Sequence, residues 1–241
     1  MKIIRAKDYE EMSRLAADIV AELVTNDPGC VLGLATGSTP VGMYKQLVKR
    51  HDAGELDFSK VKTVNLDEYV GLAPTHDQSY CYFMQKNLFD HINIDQKNTH
   101  VPSGVAVNLD DECANYNRVI NGFGGIDIQV LGLGHNGHIG FNEPGDCFIK
   151  DTHIVNLQQS TIDANSRFFA SRDDIPKRAI TMGIGSIMQA KTILMLVSGE
   201  GKADIVREAF AGPITPRVPA SILQFHPDVI LVGDDAALSK L

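Results

Sequence analysis

The run Ile126-Asp127-Ile128-Gln129-Val130-Leu131-Gly132-Leu133 passes directly into Gly134-His135-Asn136-Gly137-His138-Ile139-Gly140-Phe141-Asn142-Glu143-Pro144. The first half is mostly apolar and β-branched and reads as a strand; several runs like it are continuous rather than alternating, as in strands buried on both faces of a parallel sheet. The second half is glycine-rich and polar, as a loop leaving the end of that strand would be. Runs of the first kind recur at Lys2–Ala6, Val31–Ala35, Val61–Leu66, Thr192–Val197 and Asp228–Val232. Between them, Met12, Leu15, Ala16, Ile19, Val20 and Leu23 recur every three or four residues and mark one helix face. Tyr44, Leu47 and Val48 mark a second helix started by Pro40. Asp110 is placed to cap a third, carrying Cys113, Tyr116 and Ile120, and Ala203 to Phe210 reads as a fourth. Strands alternating with helices predict an α/β fold: an open, mostly parallel twisted sheet with helices on both faces, Rossmann-like, and right-handed crossovers.

At 241 residues the chain is long enough to bury a core without staples. No linker, repeat or low-complexity segment divides it, so one domain over residues 1–241 is expected. The polar stretch 144–174 reads as irregular and is the candidate lid. No apolar run approaches the ~20 residues that span a bilayer, and the N-terminus lacks the apolar stretch of a signal peptide. Cys30, Cys81, Cys113 and Cys147 are scattered without a CxxC, as expected of free thiols in a reducing, cytoplasmic compartment. Twenty-two Lys and Arg stand against 30 Asp and Glu, for a net charge of −8. With no basic stripe, neither nucleic acid nor a membrane is an expected partner.

In an open α/β sheet, ligands sit outside the C-terminal strand ends, so the junctions there carry the function. Thr36-Gly37-Ser38-Thr39-Pro40 places a glycine, hydroxyls and a helix N-terminus together, as a phosphate cradle or as an ordinary capped turn. It lacks the Gly-Lys-Ser/Thr ending of a Walker A loop. In Asn65-Leu66-Asp67-Glu68-Tyr69, neighbouring residues of a strand face opposite sides, so only one of the two acids faces a given site. Gly132, Gly134 and Gly137 form a GxGxxG, but Gly140 and Pro144 oppose the helix that a dinucleotide site requires. His135 and His138 with Glu143 suggest a metal, yet no helix presents the pair. General acid–base work by a histidine beside a carboxylate suits the residues better. Ser198-Gly199-Glu200-Gly201-Lys202 puts a lysine at a helix start, unfavourable for the dipole unless an anion binds beside it. Together these junctions specify a phosphorylated substrate undergoing proton transfer, without separating a sugar-phosphate isomerase from a lactonase.

Asn65-Leu66-Asp67-Glu68-Tyr69-Val70-Gly71-Leu72, Gly137-His138-Ile139-Gly140-Phe141-Asn142-Glu143-Pro144 and Ala164-Asn165-Ser166-Arg167-Phe168-Phe169 resemble the motifs of the glucosamine-6-phosphate deaminase family, over essentially the whole chain. The resemblance implies the conversion of glucosamine 6-phosphate and water into fructose 6-phosphate and ammonia, in amino-sugar catabolism. It implies Asp67 as the base that moves a proton between C2 and C1, and His138 as the acid–base that opens the ring. Glu143 would orient that histidine. It further implies Gly37, Ser38 and Thr39 as the phosphate loop, with Arg167 and Lys202 as its cations, and no metal or organic cofactor.

Asn136 stands where many members carry Asp, as in the family's shorter branch; it hydrogen-bonds but carries no charge. Longer members bind an allosteric effector through basic residues after the Glu-Pro motif. His153, Val155 and Asn156 stand at that stretch here, which implies a non-allosteric monomer. A 6-phosphogluconolactonase shares this fold and a Gly-His motif, but lactone hydrolysis needs no C2 base. A sugar-phosphate-sensing effector domain would need neither Asp67 nor His138.

Overall fold

A computed structural model describes residues 1–165, 169, 171 and 174–241. Arg167, expected to contact the phosphate, lies outside the described residues. Strand β1 (Lys2–Ala6) leads into helix α1 (Tyr9–Asn26), whose start is fixed by the Asp8 carboxylate accepting the Glu11 N–H at 2.8 Å. Its buried stripe Met12, Ala16, Val20 and Val24 has the spacing of a helix face. The chain continues through β2 (Val31–Leu34), α2 (Val41–Asp52), β3 (Lys62–Asn65), β4 (Asp67–Tyr69), α3 (Tyr80–Asn87), β5 (Thr99–His100) and α4 (Leu109–Gly122). Then come β6 (Ile128–Gly132), β7 (His153–Asn156), α5 (Gln159–Asn165), β8 (Arg178–Thr181), α6 (Ile184–Met188), β9 (Thr192–Val197), α7 (Ala203–Ala211) and β10 (Val229–Asp234).

Among the described residues seven strands pair, all in parallel, in the order β1-β10-β9-β6-β2-β3-β5. Every residue of β2 and the last five of β9 are buried. Successive side chains point to opposite faces, so both faces of the sheet are covered, as the continuous apolar runs require. From β2 the chain moves outward to β3 and β5. It then returns to the other side of β2 as β6 and moves outward again through β9 and β10. That reversal opens a crevice beyond the ends of β2 and β6, the position where such sheets bind ligands. Thr36 follows one of these strands and Gly134 the other. No helix among the described residues is long and apolar enough to cross a membrane.

A second, antiparallel sheet in the order β4-β8-β7 was not visible in the sequence. Its strands have three or four residues each, too short for a pattern, and their partners lie far apart in the chain. The stretch 144–174, expected to be irregular, contains β7 and α5. Leu66 joins the two sheets: its N–H donates to the Leu34 carbonyl of the parallel sheet (3.2 Å), and its carbonyl accepts from Met182 N–H just beyond β8 (2.6 Å). The cap of α4 is Asn108, whose Oδ1 accepts from Asp110 and Asp111 N–H, and not Asp110, which already lies inside the helix.

The loop after β5 closes directly onto β4. Gly71 N–H donates to the Gly104 carbonyl (2.9 Å), and a Cβ on Gly104 would lie 1.9 Å from the Tyr69 carbonyl oxygen. Backbone offers no rotamer by which to yield. Gly104→Ala should therefore lower stability by about 1–3 kcal/mol, as other overpacked sites do, read as a lower denaturant midpoint. An unchanged midpoint would show that this loop can lift from β4.

Candidate active site

The glycine-rich segment after β6 is a tight turn that presents a histidine. Gly134 N–H donates to the His138 carbonyl (2.9 Å) and Gly137 N–H to the Gly134 carbonyl (3.0 Å). Gly137 has a φ of 83°, where side chains are strained. A Cβ on Gly134 would lie 2.4 Å from the His138 ring. The glycines thus serve the turn and the ring it carries, and no helix follows before β7.

The protonation of that ring is set by a chain of amides. Gln158 Nε2 donates to the Pro144 carbonyl (3.2 Å), which turns Gln158 Oε1 toward Asn136 Nδ2 (3.3 Å). The same Nδ2 donates to Glu143 Oε2 (2.7 Å). Both partners of Nδ2 are acceptors, so Asn136 Oδ1 must be the atom facing His138 Nδ1 at 2.7 Å. Nδ1 therefore carries the proton, and Nε2 keeps its lone pair. Glu143 Oε2 also lies 3.5 Å from Nδ1, so it acts on the histidine both directly and through Asn136. Burial acts to raise the Glu143 carboxyl. The bond and charge of His138, with bonds from Thr161 (2.5 Å) and Asn136, outweigh it and hold the group below its ordinary value.

Asp67 opens β4 opposite Thr181 and is 5% exposed. A Cβ on Gly140 would be 3.4 Å from Asp67 Oδ2 and 3.0 Å from Thr181 Oγ1, so the histidine turn lies directly against this carboxylate. Burial first, and then the charge of Glu68, push Asp67 up to about 8; the nearby Phe141 amide offsets part of this. Phe141 adjoins both groups, its amide near Asp67 and its ring near that of His138. Its ring centroid is 6.5 Å from that of His138, and it stacks on Tyr80 at 5.9 Å and 15°. Glu68 turns the other way, onto the N-terminus of α3.

At the end of β2, Gly37 has a φ of 91° and is exposed with Ser38, while Thr39 is half-buried. Tyr9 Oη donates to the Ser38 carbonyl (3.0 Å) and accepts the Gly42 N–H (2.8 Å), tying the loop to the first turn of α2. That helix starts at Pro40 with no side-chain cap, which leaves backbone donors for an anion. Lys202 precedes α7 and reaches across to the Leu133 carbonyl at 2.6 Å, beside the histidine turn. Desolvation pushes its ammonium down to about 8, and no carboxylate among the described residues forms an ion pair with it. Among the described residues, no three side chains are gathered to hold a metal ion.

Comparison with known proteins agrees with this geometry. The family described as glucosamine-6-phosphate isomerases/6-phosphogluconolactonase matches residues 6–231. The chain belongs to this family. A glucosamine-6-phosphate deaminase of Lachnoclostridium phytofermentans is 59% identical over 96% of this chain and 98% of its own. One of Clostridium perfringens is 57% identical over the full length of both. A solved structure described as a monomeric glucosamine-6-phosphate deaminase superposes with a TM-score of 0.97, at 45% identity over all of both chains. The 6-phosphogluconolactonase of Trypanosoma brucei shares the fold alone, at a TM-score of 0.77 and 18% identity.

Within the glucosamine-6-phosphate isomerase family pattern, the structure brings Asp67, Asn136, His138 and Glu143 together, with Lys202 against the same turn. Sequence reasoning missed Thr161, Gln158 and Thr181, whose hydroxyls and amide hold this set from α5, the loop before it and β8. Nothing in their local pattern marks them, since only the fold brings those segments to the turn.

The raised Asp67 carboxyl has a consequence for stability. Between the ordinary carboxylate range and about pH 8, the folded chain keeps a proton that the unfolded chain releases. Stability therefore falls as pH rises through that window. Asp67→Asn, which can still accept from the Phe141 amide, should remove this loss. The variant should melt above wild type at pH 8.5, by a difference on the order of a few kcal/mol, and close to it at pH 5. Thermal unfolding at the two pH values checks this; equal pH slopes would place the Asp67 carboxyl in the ordinary range.

Proposed function

We propose that the chain hydrolyses glucosamine 6-phosphate to fructose 6-phosphate and ammonia, with Asp67 and His138 as its two proton-transfer groups. One observation carries this reading: the buried Asp67 carboxylate lies directly against the turn that presents His138, at the topological switch of the sheet. His138 Nε2 takes the proton of the C1 hydroxyl and returns it to the ring oxygen, which opens the pyranose. Asn136 and Glu143 support the positive charge that the ring carries in between. With C1 now an aldehyde, the adjacent C2–H is acidic, and Asp67 removes that proton while O1 takes one from the substrate's own ammonium group. The resulting enolamine receives a proton at C1 from the same carboxyl, because the two carbons are neighbours. An iminium remains at C2; water adds to it, and ammonia leaves. Lactone hydrolysis requires no proton to be moved from C2, so it would not need Asp67, and a sensor would gain nothing from burying it.

Gly37, Ser38, Thr39 and Lys202 hold the 6-phosphate in this reading, with Arg167 joining them on the strength of its motif. Residues 1–241 act as one domain. The segment 144–174 serves as the lid: Gln158 and Thr161 ride on it and hold Asn136 and Glu143, so its closure would also set the histidine. The chain works as a cytoplasmic monomer, like the similar structure described as monomeric. His153, Val155 and Asn156 form or end β7 and offer no cation for a phosphorylated effector.

Purified protein should release ammonia from glucosamine 6-phosphate. Asp67→Asn should bind the sugar phosphate but lose turnover by ~10²–10⁴-fold, the usual cost of removing a general base. Near wild-type ammonia release from that variant would remove Asp67 from the chemistry.

A charge-assisted hydrogen bond contributes ~1.5–3 kcal/mol, so Lys202→Ala should raise KM at least about tenfold with a smaller effect on kcat. The same saturation curves should be hyperbolic with or without N-acetylglucosamine 6-phosphate, at every enzyme concentration. An unchanged KM would make Lys202 a structural tie to Leu133 only, and a sigmoidal curve relieved by the effector would reveal a regulatory site.

A further inference from the structure

The reaction uses one acid of the Asp67-Glu68 pair, yet the other is the more deeply buried, at 2% exposed. Glu68 Oε1 accepts the N–H groups of Tyr69 (2.8 Å) and Tyr80 (2.9 Å), and Oε2 accepts that of Cys81 (2.9 Å). Tyr80 and Cys81 are the first two residues of α3, while Ser79 Oγ already caps the helix by accepting from Tyr82 N–H (3.0 Å). Burial pushes the Glu68 carboxyl up, and the N–H groups of Tyr80, Cys81 and Tyr69, with the charge of His76, act against that rise. Both carboxylate oxygens thus meet donors, which a neutral amide cannot match on both sides. The N-terminal end of α3 favours that charge.

Two consequences reach the reacting groups. Glu68 fixes the start of α3, hence Tyr80, whose ring lies 4.8 Å from Tyr69 and stacks on Phe141, itself 6.5 Å from the His138 ring. Its charge also sits one residue from Asp67 in a poorly solvated place, where like charges repel strongly.

We propose that Glu68 is a positioning residue for the proton transfer: held ionised on the first turn of α3, it makes Asp67 a stronger base and keeps the aromatic wall in register. This rests on Asp67 being the base. The other groups facing the pair are Tyr69 on β4, Tyr80 and Cys81 on α3, Tyr116 on α4, His76 before α3, and His138 with Glu143 on the turn. Burial pushes the three tyrosines and the thiol up, so they stay neutral over the working range. His76 is half exposed, and a His76→Gln background removes its contribution.

The test is the pH profile of kcat/KM. Glu68→Gln should move the acid limb down by about one pH unit. It should lower plateau kcat about threefold, since a weaker base transfers the proton more slowly, and leave KM within about twofold. Glu68→Asp keeps the charge but is one methylene short of α3. It should leave the limb near wild type while kcat falls, and it serves equally well if Glu68→Gln does not fold. A folded Glu68→Gln enzyme with an unmoved limb, or a Glu68→Asp enzyme whose limb moves as if the charge were gone, overturns the proposal. Asp67→Asn separates the two readings: an active variant sinks the base itself, and an inactive one beside an unmoved Glu68→Gln limb sinks only the role of Glu68.

Discussion

Leu66 spends its two backbone groups on two different sheets, donating to Leu34 in the parallel one and accepting from Met182 at the end of the antiparallel one. Everything that the site requires follows from that one residue. Because β3 and β4 are separated by Leu66 alone, the chain turns out of the main sheet at the point where it reaches the crevice between β2 and β6. Asp67 is then paired with Thr181 and enclosed. A carboxylate there is expensive to ionise, and that expense makes it a stronger base than an exposed carboxylate.

The histidine turn is matched to this enclosure through absent side chains. Gly140 lets the turn come against Asp67 and Thr181, and Gly134 leaves room for the ring of His138. The amides do the rest. Pro144 orients Gln158, Gln158 and Glu143 orient Asn136, and Asn136 decides which nitrogen of His138 carries the proton. An aspartate at position 136 would act on the ring by charge; the asparagine acts by direction, passing the influence of Glu143 along. Each link is a single hydrogen bond of ordinary length, so the orientation depends on every member being present.

In the proposed reaction the two ends of the substrate are met by different kinds of structure. Proton transfer falls to side chains whose placement comes from long-range packing. Phosphate binding falls to local features, a turn with a positive φ at Gly37 and an uncapped helix start, together with one lysine swung over from the end of β9. Local features of this second kind are common, and so they mark a site only in company with the first.

That division also separates what could be learned from the chain alone. Continuous apolar runs at Val31–Ala35 and Thr192–Val197 determined a parallel sheet buried on both faces, because only such strands can be apolar on both sides. The junction rule for such sheets then singled out Thr36–Thr39, the Asp67-Glu68 pair, the His138 turn and Lys202. The antiparallel sheet, the role of Leu66, and the support from Thr161, Gln158 and Thr181 were decided by the tertiary structure, because their partners are distant in sequence and their segments too short to carry a period. The two acids at 67 and 68 show the limit most sharply. Alternation told that they face opposite ways; only the packing of α3 and Gly140 decided which faces the site and which is bound to a helix.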